Sequence, residues 1–566
     1  MSNMKTKSFF LLIVIALHLL ACEKHLEVTN EPIVVNEDDD DYTWNESNAI
    51  SIVLNGNSIE CNSSKVSIDG TKATILSAGQ YLISGTLTNG QIIVNTQDES
   101  TVKLLTKGVN ISCSNNAPLY IYNAKKSVLV LLENTENVFT DGSAYTFASG
   151  EDEPNATIYS KADLTIYGDG KLTVNGNYND GITSKDGLII KNANLSVTAK
   201  DDGIRGKDYL ITDASAFTIN AGGDGIKSDN DENATAGYIN IGSGTFNITS
   251  VGDGISAITD INITDGSFDI KTGGGSNYTT STSAKGLKAG NNLSIHCETL
   301  SVNSADDALH SNNTLEFNYG DAYISAADDG IHADNSATIN NGTITISKSY
   351  EGLESALITV NSGNIHITAS DDGINGAGGS VISTQYGNVA SGNMFINGGY
   401  IYVNASGDGV DINGSITMTD GKLIVHGPTN NGNGAIDYDG TFKLTGGYLV
   451  AVGSSGMAQA PSTSSTQYSV IVNLTSSQQA TTPISILNTD GTQVLSFKSN
   501  KTYQSLVFSS PAITSGQSYN VYLGGNCTGT LTDGIYEGGT YTAGTKYTTF
   551  TVSSIVTKIG DTGGRP

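Results

Sequence analysis

Apolar and polar residues alternate through the middle of this chain in bursts too short for helices. Ile358-Thr359-Val360 is followed by Ile365-His366-Ile367-Thr368-Ala369 and then by Gly373-Ile374-Asn375-Gly376. Alternation of period two, closed each time by Gly, Asn or Asp, predicts about three short strands per repeat. The bursts are punctuated by a recurring step: Asp180-Gly181-Ile182, Asp202-Gly203-Ile204, Asp224-Gly225-Ile226, Asp253-Gly254-Ile255, Lys285-Gly286-Leu287, Asp307-Ala308-Leu309, Asp329-Gly330-Ile331, Glu351-Gly352-Leu353, Asp372-Gly373-Ile374 and Asp408-Gly409-Val410. Successive steps lie 22, 22, 29, 32, 22, 22, 22, 21 and 36 residues apart. A dominant period with longer exceptions is the signature of stacked coils carrying loop insertions.

At roughly 3.3 Å per residue, one such coil can travel round a three-sided tube and return one strand spacing higher. The expected fold is therefore all-β: a parallel β-helix of about 22 residues and three short strands per coil. Ile, Leu and Val should point inward, with small residues at tight places: Ser184, Ser228, Ala257, Ala289, Ser311, Ala333 and Ser355. The longer steps place insertions after Ser228, around Gly273 to Ser283 and across Gly376 to Asn393, and projecting loops are where binding walls are built. Segments such as 81–85, 91–94 and 127–131 keep the strand grammar without a strict period, so the β-helix is expected over 46–455, irregular to about 175. A Ser, Thr and Pro-rich linker follows over 456–467. Residues 468–566 read as a small β domain covering the solenoid's end, with a hairpin from Ile484 to Phe497 turning at Asp490-Gly491.

Composition narrows the partners. The chain has 566 residues, 66 of them Gly and 8 Pro, which suits turns with positive φ between strands that need every N–H. A formal charge of −28 excludes a polyphosphate partner, so no nucleic acid is expected, and an acidic partner would need a bridging cation. Lys5 and Lys7 precede an apolar run from Phe9 to Leu20, a layout of an export signal too short to span a bilayer. Leu19-Leu20-Ala21-Cys22 resembles a bacterial lipoprotein processing box, which implies that Cys22 is acylated. Residues 1–22 are then a signal peptide and 23–45, with Asp38 to Asp41, an acidic flexible tether. The expectation is an exported, monomeric lipoprotein at the outer membrane or cell surface, touching the membrane only through its lipid. Cys61, Cys113, Cys297 and Cys527 form no Cys-x-x-Cys pair and read as buried free thiols, with a Cys61–Cys113 bridge the lesser alternative.

Stacking turns the recurring acid into a column of carboxylates about 4.8 Å apart. Neighbouring unit charges at that spacing repel by roughly 3.5 kcal/mol at an effective dielectric of about 20. Protonation, a cation or full solvation could each relieve them, and a lone Asp-Gly could be turn chemistry alone. Doubled acids in register go further, since paired aspartates supply the hard oxygens that Ca²⁺ takes. The expected calcium sites are Asp180 with Asp201, Asp202 and Asp224; Asp306 and Asp307 with Asp328 and Asp329; and Asp371 with Asp372. A second column two residues past each glycine includes Arg205, Lys227, Lys288, His310 and His332, the expected binding strip for a sugar chain lying along the axis.

A family resemblance is carried by Gly79 through Leu87, Leu164 through Gly170, Asn179-Asp180-Gly181-Ile182, Tyr350 through Ser355, Asp371 through Asn375 and Ser455-Gly456-Met457-Ala458. With these stretches, residues from about 50 to 461 resemble the bacterial calcium-binding, right-handed β-helix family described as carbohydrate-binding domain proteins, whose fold is related to polysaccharide lyases. The resemblance implies a right-handed helix that binds acidic or plant-type polysaccharide with calcium as a structural or bridging ion. The leading expectation is a noncatalytic glycan-binding surface lipoprotein. Its rivals are a calcium-dependent polysaccharide lyase, with Lys285 removing the proton α to a uronate carboxylate, and a structural adhesin.

Overall fold

The computed structural model describes residues 32–147, 149–377 and 392–560, with the short strands Ile382–Thr384 and Gly387–Val389. The export leader, Cys22 and the first part of the expected tether lie outside the described residues. Among those described the chain is all-β, with two short 3-10 turns at Asp39–Tyr42 and Glu46–Asn48 and no α-helix.

The strands fall into long parallel ladders. One is a 16-stranded sheet whose central members follow the acidic steps: Ile204–Gly206, Ile226–Ser228, Ile255–Ala257, Leu287–Ala289, Leu309–Ser311, Ile331–Ala333 and Leu353–Ser355. Ile204 faces Ile226, Leu309 faces Ile331, and Ile331 faces Leu353. Two further ladders run alongside. Gly187–Lys191, Tyr209–Asp213, Tyr238–Ile241 and Ile261–Ile263 pair in sequence, as do Asn194–Ala199, Ser215–Ala221, Gly244–Ser250 and Ser267–Thr272. Asn292–Ser304 and Thr314–Ala326 run without a break through both of these ladders and join them into one large sheet.

Period-two burial follows from this stacking. From Ile204–Gly206 to Leu353–Ser355 each three-residue strand after a step buries its first and third residues and leaves the second half-buried, so the small residues expected inside are inside, Ser311 and Ala333 fully; in Ile374–Gly376 all three are buried. In-register pairing also puts like on like: Phe217, Phe246 and Phe268 are buried and stack with ring centroids 4.9 and 4.7 Å apart. The glycine of the step has a different reason from the one composition suggested. Gly203 has no positive φ; a Cβ there would lie 2.5 Å from the Gly225 carbonyl oxygen and 2.6 Å from Ile219 Cγ2. Backbone of one rung presses on the next, and only a residue without a side chain fits.

Antiparallel strands cover the start of two ladders and the far end of the large sheet, where parallel edges would otherwise be exposed. Val66–Asp69 pairs antiparallel with Lys72–Ile75 at the start of one ladder, and Ile50–Gly56 with Ile59–Glu60 at the start of another. At the far end Tyr503–Ser509 lies antiparallel to both Tyr448–Gly453 and Ser469–Gln478. A six-stranded sheet completes the C-terminal part, including the hairpin Ile484–Asn488 with Gln493–Phe497.

Two expected segment characters change. The described part of the tether is not free: Lys126 Nζ reaches Asp41 at 2.8 Å and Asp38 at 2.9 Å, and the side chains of Lys126 and Asp41 are almost wholly buried. Lys103 Nζ donates to the carbonyls of Asp40 and Thr43, Asn36 binds Asp163 and Tyr209, and Trp44 packs beside Leu105, Val128 and Val130. Polar composition suggested solvation, but these acids meet lysines that the ladders hold in place. The expected linker also sits on the last rung, with Ser462 N–H donating to Phe442 O and Thr466 N–H to Leu444 O. All four described cysteines are free.

Candidate functional site

The acidic column is built by backbone register. Within it, Oδ1 of one acid accepts the backbone N–H of the residue at the same place in the next rung. Asp202 N–H donates to Asp180 (3.2 Å), Asp224 to Asp202 (2.8 Å), Asp253 to Asp224 (2.8 Å), Lys285 to Asp253 (2.8 Å), Asp329 to Asp307 (3.1 Å) and Glu351 to Asp329 (3.2 Å). After Glu351 the pattern resumes with Asp408 N–H on Asp372 (2.6 Å) and Gly434 N–H on Asp408. The aspartates thus cap the N–H groups that a short strand leaves open, a use that the repeat alone did not reveal.

The second oxygen of each acid faces the parallel column, and there the expected sugar-binding bases are already engaged. Lys227 bridges Asp202 and Asp224 at 3.2 and 2.9 Å, Lys288 reaches Asp253 at 3.3 Å, and Arg205 pairs with Asp229 at 2.7 Å. His310 Nδ1 meets Asp307 at 2.8 Å; His332 Nδ1 meets Asp329 at 3.1 Å and Glu354 at 3.3 Å. Burial works against a charged His332, but hydrogen bonds to Asp329 and Glu354 outweigh it and push its pKa up to about 11. Burial likewise opposes ionisation of Asp307, yet His310 and Lys285 outweigh it and hold the carboxyl well below its ordinary range. At Asp180 burial and the Asp202 charge outweigh the Thr183 hydrogen bond and the nearby Arg205, and push the carboxyl up to about 7.

The expected calcium sites separate on this geometry. Asp180, Asp201, Asp202 and Asp224 do not converge, and Lys227 stands among the last two. Asp306, Asp307 and Asp328 bring one oxygen each to within 4.8 Å of the others, but Lys285 Nζ lies 2.7 Å from both Asp306 and Asp307. Asp329 instead groups with His332 and Glu354. Asp371 stays out of any such group, whereas Asp372 joins Asp408 and Asp411, two acids of the columns that the reading of doubled aspartates passed over.

Lys285 also lines an open cleft of about 430 Å³. It is lined by the inserted loop 279–283, all Thr and Ser, together with Ala305, Asp306, Ala327 and Asp328. Tyr350 continues the Asp328 column one rung on, its N–H donating to Asp328 O, with its ring about half exposed. Tyr278 in the same inserted loop is exposed as well. Burial disfavours the Lys285 charge, but Asp307 and Asp306 outweigh it and raise its pKa, so the amine stays protonated. An insertion was expected to wall a site; that it lines one cleft with Asp306 and Asp328 needed the register of the ladders.

Comparison with known proteins bears on the same stretch. Residues 69–330 match the family model described as carbohydrate-binding domain-containing protein. A carbohydrate-binding domain-containing protein of Acetivibrio thermocellus is 39% identical over 135 residues, covering 24% of this chain and 47% of that relative, so the match spans about half the relative's length. A solved structure described as a polysaccharide lyase-like protein from C. thermocellum, a gadolinium derivative, is 35% identical and covers 40% of this chain and 92% of its own, with a TM-score of 0.39. Through residues 69–330, which hold the cleft and most of the acidic column, this chain is similar to carbohydrate-binding domain-containing proteins.

Proposed function

We propose that this protein is a noncatalytic polysaccharide-binding lipoprotein of the cell surface, its ladders the faces of a right-handed parallel β-helix. The observation that carries the reading is the open cleft lined by the 279–283 loop and by Asp306 and Asp328, within the segment similar to carbohydrate-binding proteins. Hydroxyls and carboxylates facing a shallow open groove accept and donate to sugar hydroxyls, and an exposed tyrosine beside them offers a ring face for stacking. An open groove suits a chain that lies along the axis better than a small free ligand. The bases once assigned to the sugar serve the acids instead, so recognition moves from Arg205, Lys227, Lys288, His310 and His332 to the inserted wall and Asp328. A lyase role for Lys285 has little support, because a proton-abstracting amine must be neutral and this one is clamped by two carboxylates.

Calcium is part of the proposal. The Lys227 and Lys285 sites already hold a cation of the chain's own, and among the described residues no ion pair reaches Asp372. The test is retention of the full chain on immobilised neutral and acidic polysaccharides, with Ca²⁺ and with chelator. Retention should weaken about tenfold in Asp328→Ala and in Tyr350→Ala, the loss of one good polar or stacking contact each. Absence of retention across the panel, or full retention in both variants, would overturn the reading.

A further inference from the structure

Charge at the open cleft is one-sided. Lys285, Asp306 and Asp328 are the ionisable residues that line it, and the rest of its lining is Thr, Ser and Ala. The one base is consumed within the chain: Lys285 is mostly buried, and its Nζ donates to Asp306 Oδ1 and to Asp307 Oδ2, both at 2.7 Å. Lys288, whose Nζ donates to Ser283 Oγ at 3.2 Å at the end of the inserted loop, is drawn to Asp253 at 3.3 Å. Asp328 has no such partner. It is exposed, and among the described residues no ion pair and no side-chain hydrogen bond reaches its carboxylate, although one of its oxygens lies within 4.8 Å of oxygens of Asp306 and Asp307.

That crowding leaves the Asp328 charge unrelieved. Burial and the charges of Asp307 and Asp306 push its carboxyl above the ordinary range, against the pull of Lys285 and His332. The chain itself shows what these acids accept, since the group held between Asp306 and Asp307 is an ammonium. Ligands therefore sort by the sign of their charge. A uronate would bring a carboxylate to Asp306 and Asp328 with no free base to meet it. A sugar hydroxyl donates a hydrogen bond to a carboxylate, and a sugar ammonium adds the attraction of opposite charges to the same bond.

We propose that this cleft selects a polysaccharide carrying free amines, a hexosamine polymer, over a uronate polymer, and that Asp328 is the residue that reads the ammonium. This rests on the cleft being the glycan site argued above, and it names the class of glycan. The hydroxyls of 279–283 serve the sugar hydroxyls that any hexose polymer offers, so they hold the chain without distinguishing its charge. An acidic glycan, the partner implied by the family resemblance, is disfavoured here because Lys285 occupies the place where a bridging cation would join it to Asp306 and Asp307.

The experiment is calorimetric titration of the full chain at about pH 6, in chelator, with three hexasaccharides: β-1,4-linked glucosamine, cellohexaose and oligogalacturonate. The first two differ only at C2, ammonium against hydroxyl. The glucosamine oligomer should bind about tenfold more tightly than cellohexaose, and the galacturonate more weakly than either. Asp328→Asn should erase the difference between the first two, while Asp328→Glu keeps it. Asp69→Asn, which removes an exposed acid at the start of one ladder, should keep it as well, and so separates recognition by Asp328 from a general attraction of polycations to a chain of charge −28. Equal affinity for the first two in the unaltered chain, tightest binding of the galacturonate, or a preference that survives Asp328→Asn would overturn this proposal and leave the cleft a glycan site. Binding of none of the three would overturn both readings.

Discussion

Asp202, Asp224, Asp253, Asp307 and Asp329 each work with both oxygens, one on the N–H of the next rung and one on a base, and this division explains why these positions tolerate so much stacked charge. The acid was legible because its spacing was; its hydrogen bond was not, since the donor sits some 22 residues away in sequence and only the fold brings it to 2.8 Å. Asn375 illustrates the same limit, being unremarked as a polar residue in a strand until its oxygen is found buried without a partner. The strap at the N-terminal side gives a residue-scale prediction. Asp41→Ala would leave the buried Lys126 ammonium with only the exposed Asp38 carboxylate and the Asn36 carbonyl, and loss of one member of a buried pair costs roughly 3–5 kcal/mol. A fall in urea midpoint together with new protease cleavage within residues 36–45 is the expected outcome; an unchanged midpoint would return that segment to the role of a loose tether.

At the scale of the strand, alternation alone separated inside from outside, and the half-buried middle residue of each three-residue strand is where the second column was expected. Which rungs would stack Phe on Phe required the register. Phe246 lies between Phe217 and Phe268, so Phe246→Ala opens a cavity with aromatic walls on both sides and should cost about 3–5 kcal/mol. Because rungs touch mainly their neighbours, hydrogen exchange should accelerate most in Ser215–Ala221 and Ser267–Thr272 and little in the C-terminal sheet. Uniform acceleration through the chain would show that the ladders unfold as one unit.

At the scale of the molecule, the C-terminal part is locked to the ladders through His426. Its Nδ1 accepts the Asn500 N–H at 3.2 Å and its Nε2–H donates to Asp533 O at 3.2 Å, so the ring is held neutral; burial, with Lys501 adding to it, lowers its pKa to about 4. Lys501 in turn donates to the carbonyls of Ala405 and His426. An unfolded histidine titrates near 6.5, so between about 6.5 and 4 the unfolded chain binds the extra proton. The stability this ring contributes is complete above pH 6.5 and is lost as pH falls toward 4, a change of roughly 3 kcal/mol. Unfolding at pH 7 and pH 4.5 should show the loss, and His426→Gln should reduce it; an equal loss in that variant would assign the acid sensitivity elsewhere. Local pattern determined the all-β class, the step, the inward residues and the existence of an inserted wall, because each depends on near neighbours in sequence. Counter-charge, cleft and end closure were decided by tertiary structure: which base meets which acid depends on how rungs of unequal length align, and composition carries no record of that alignment.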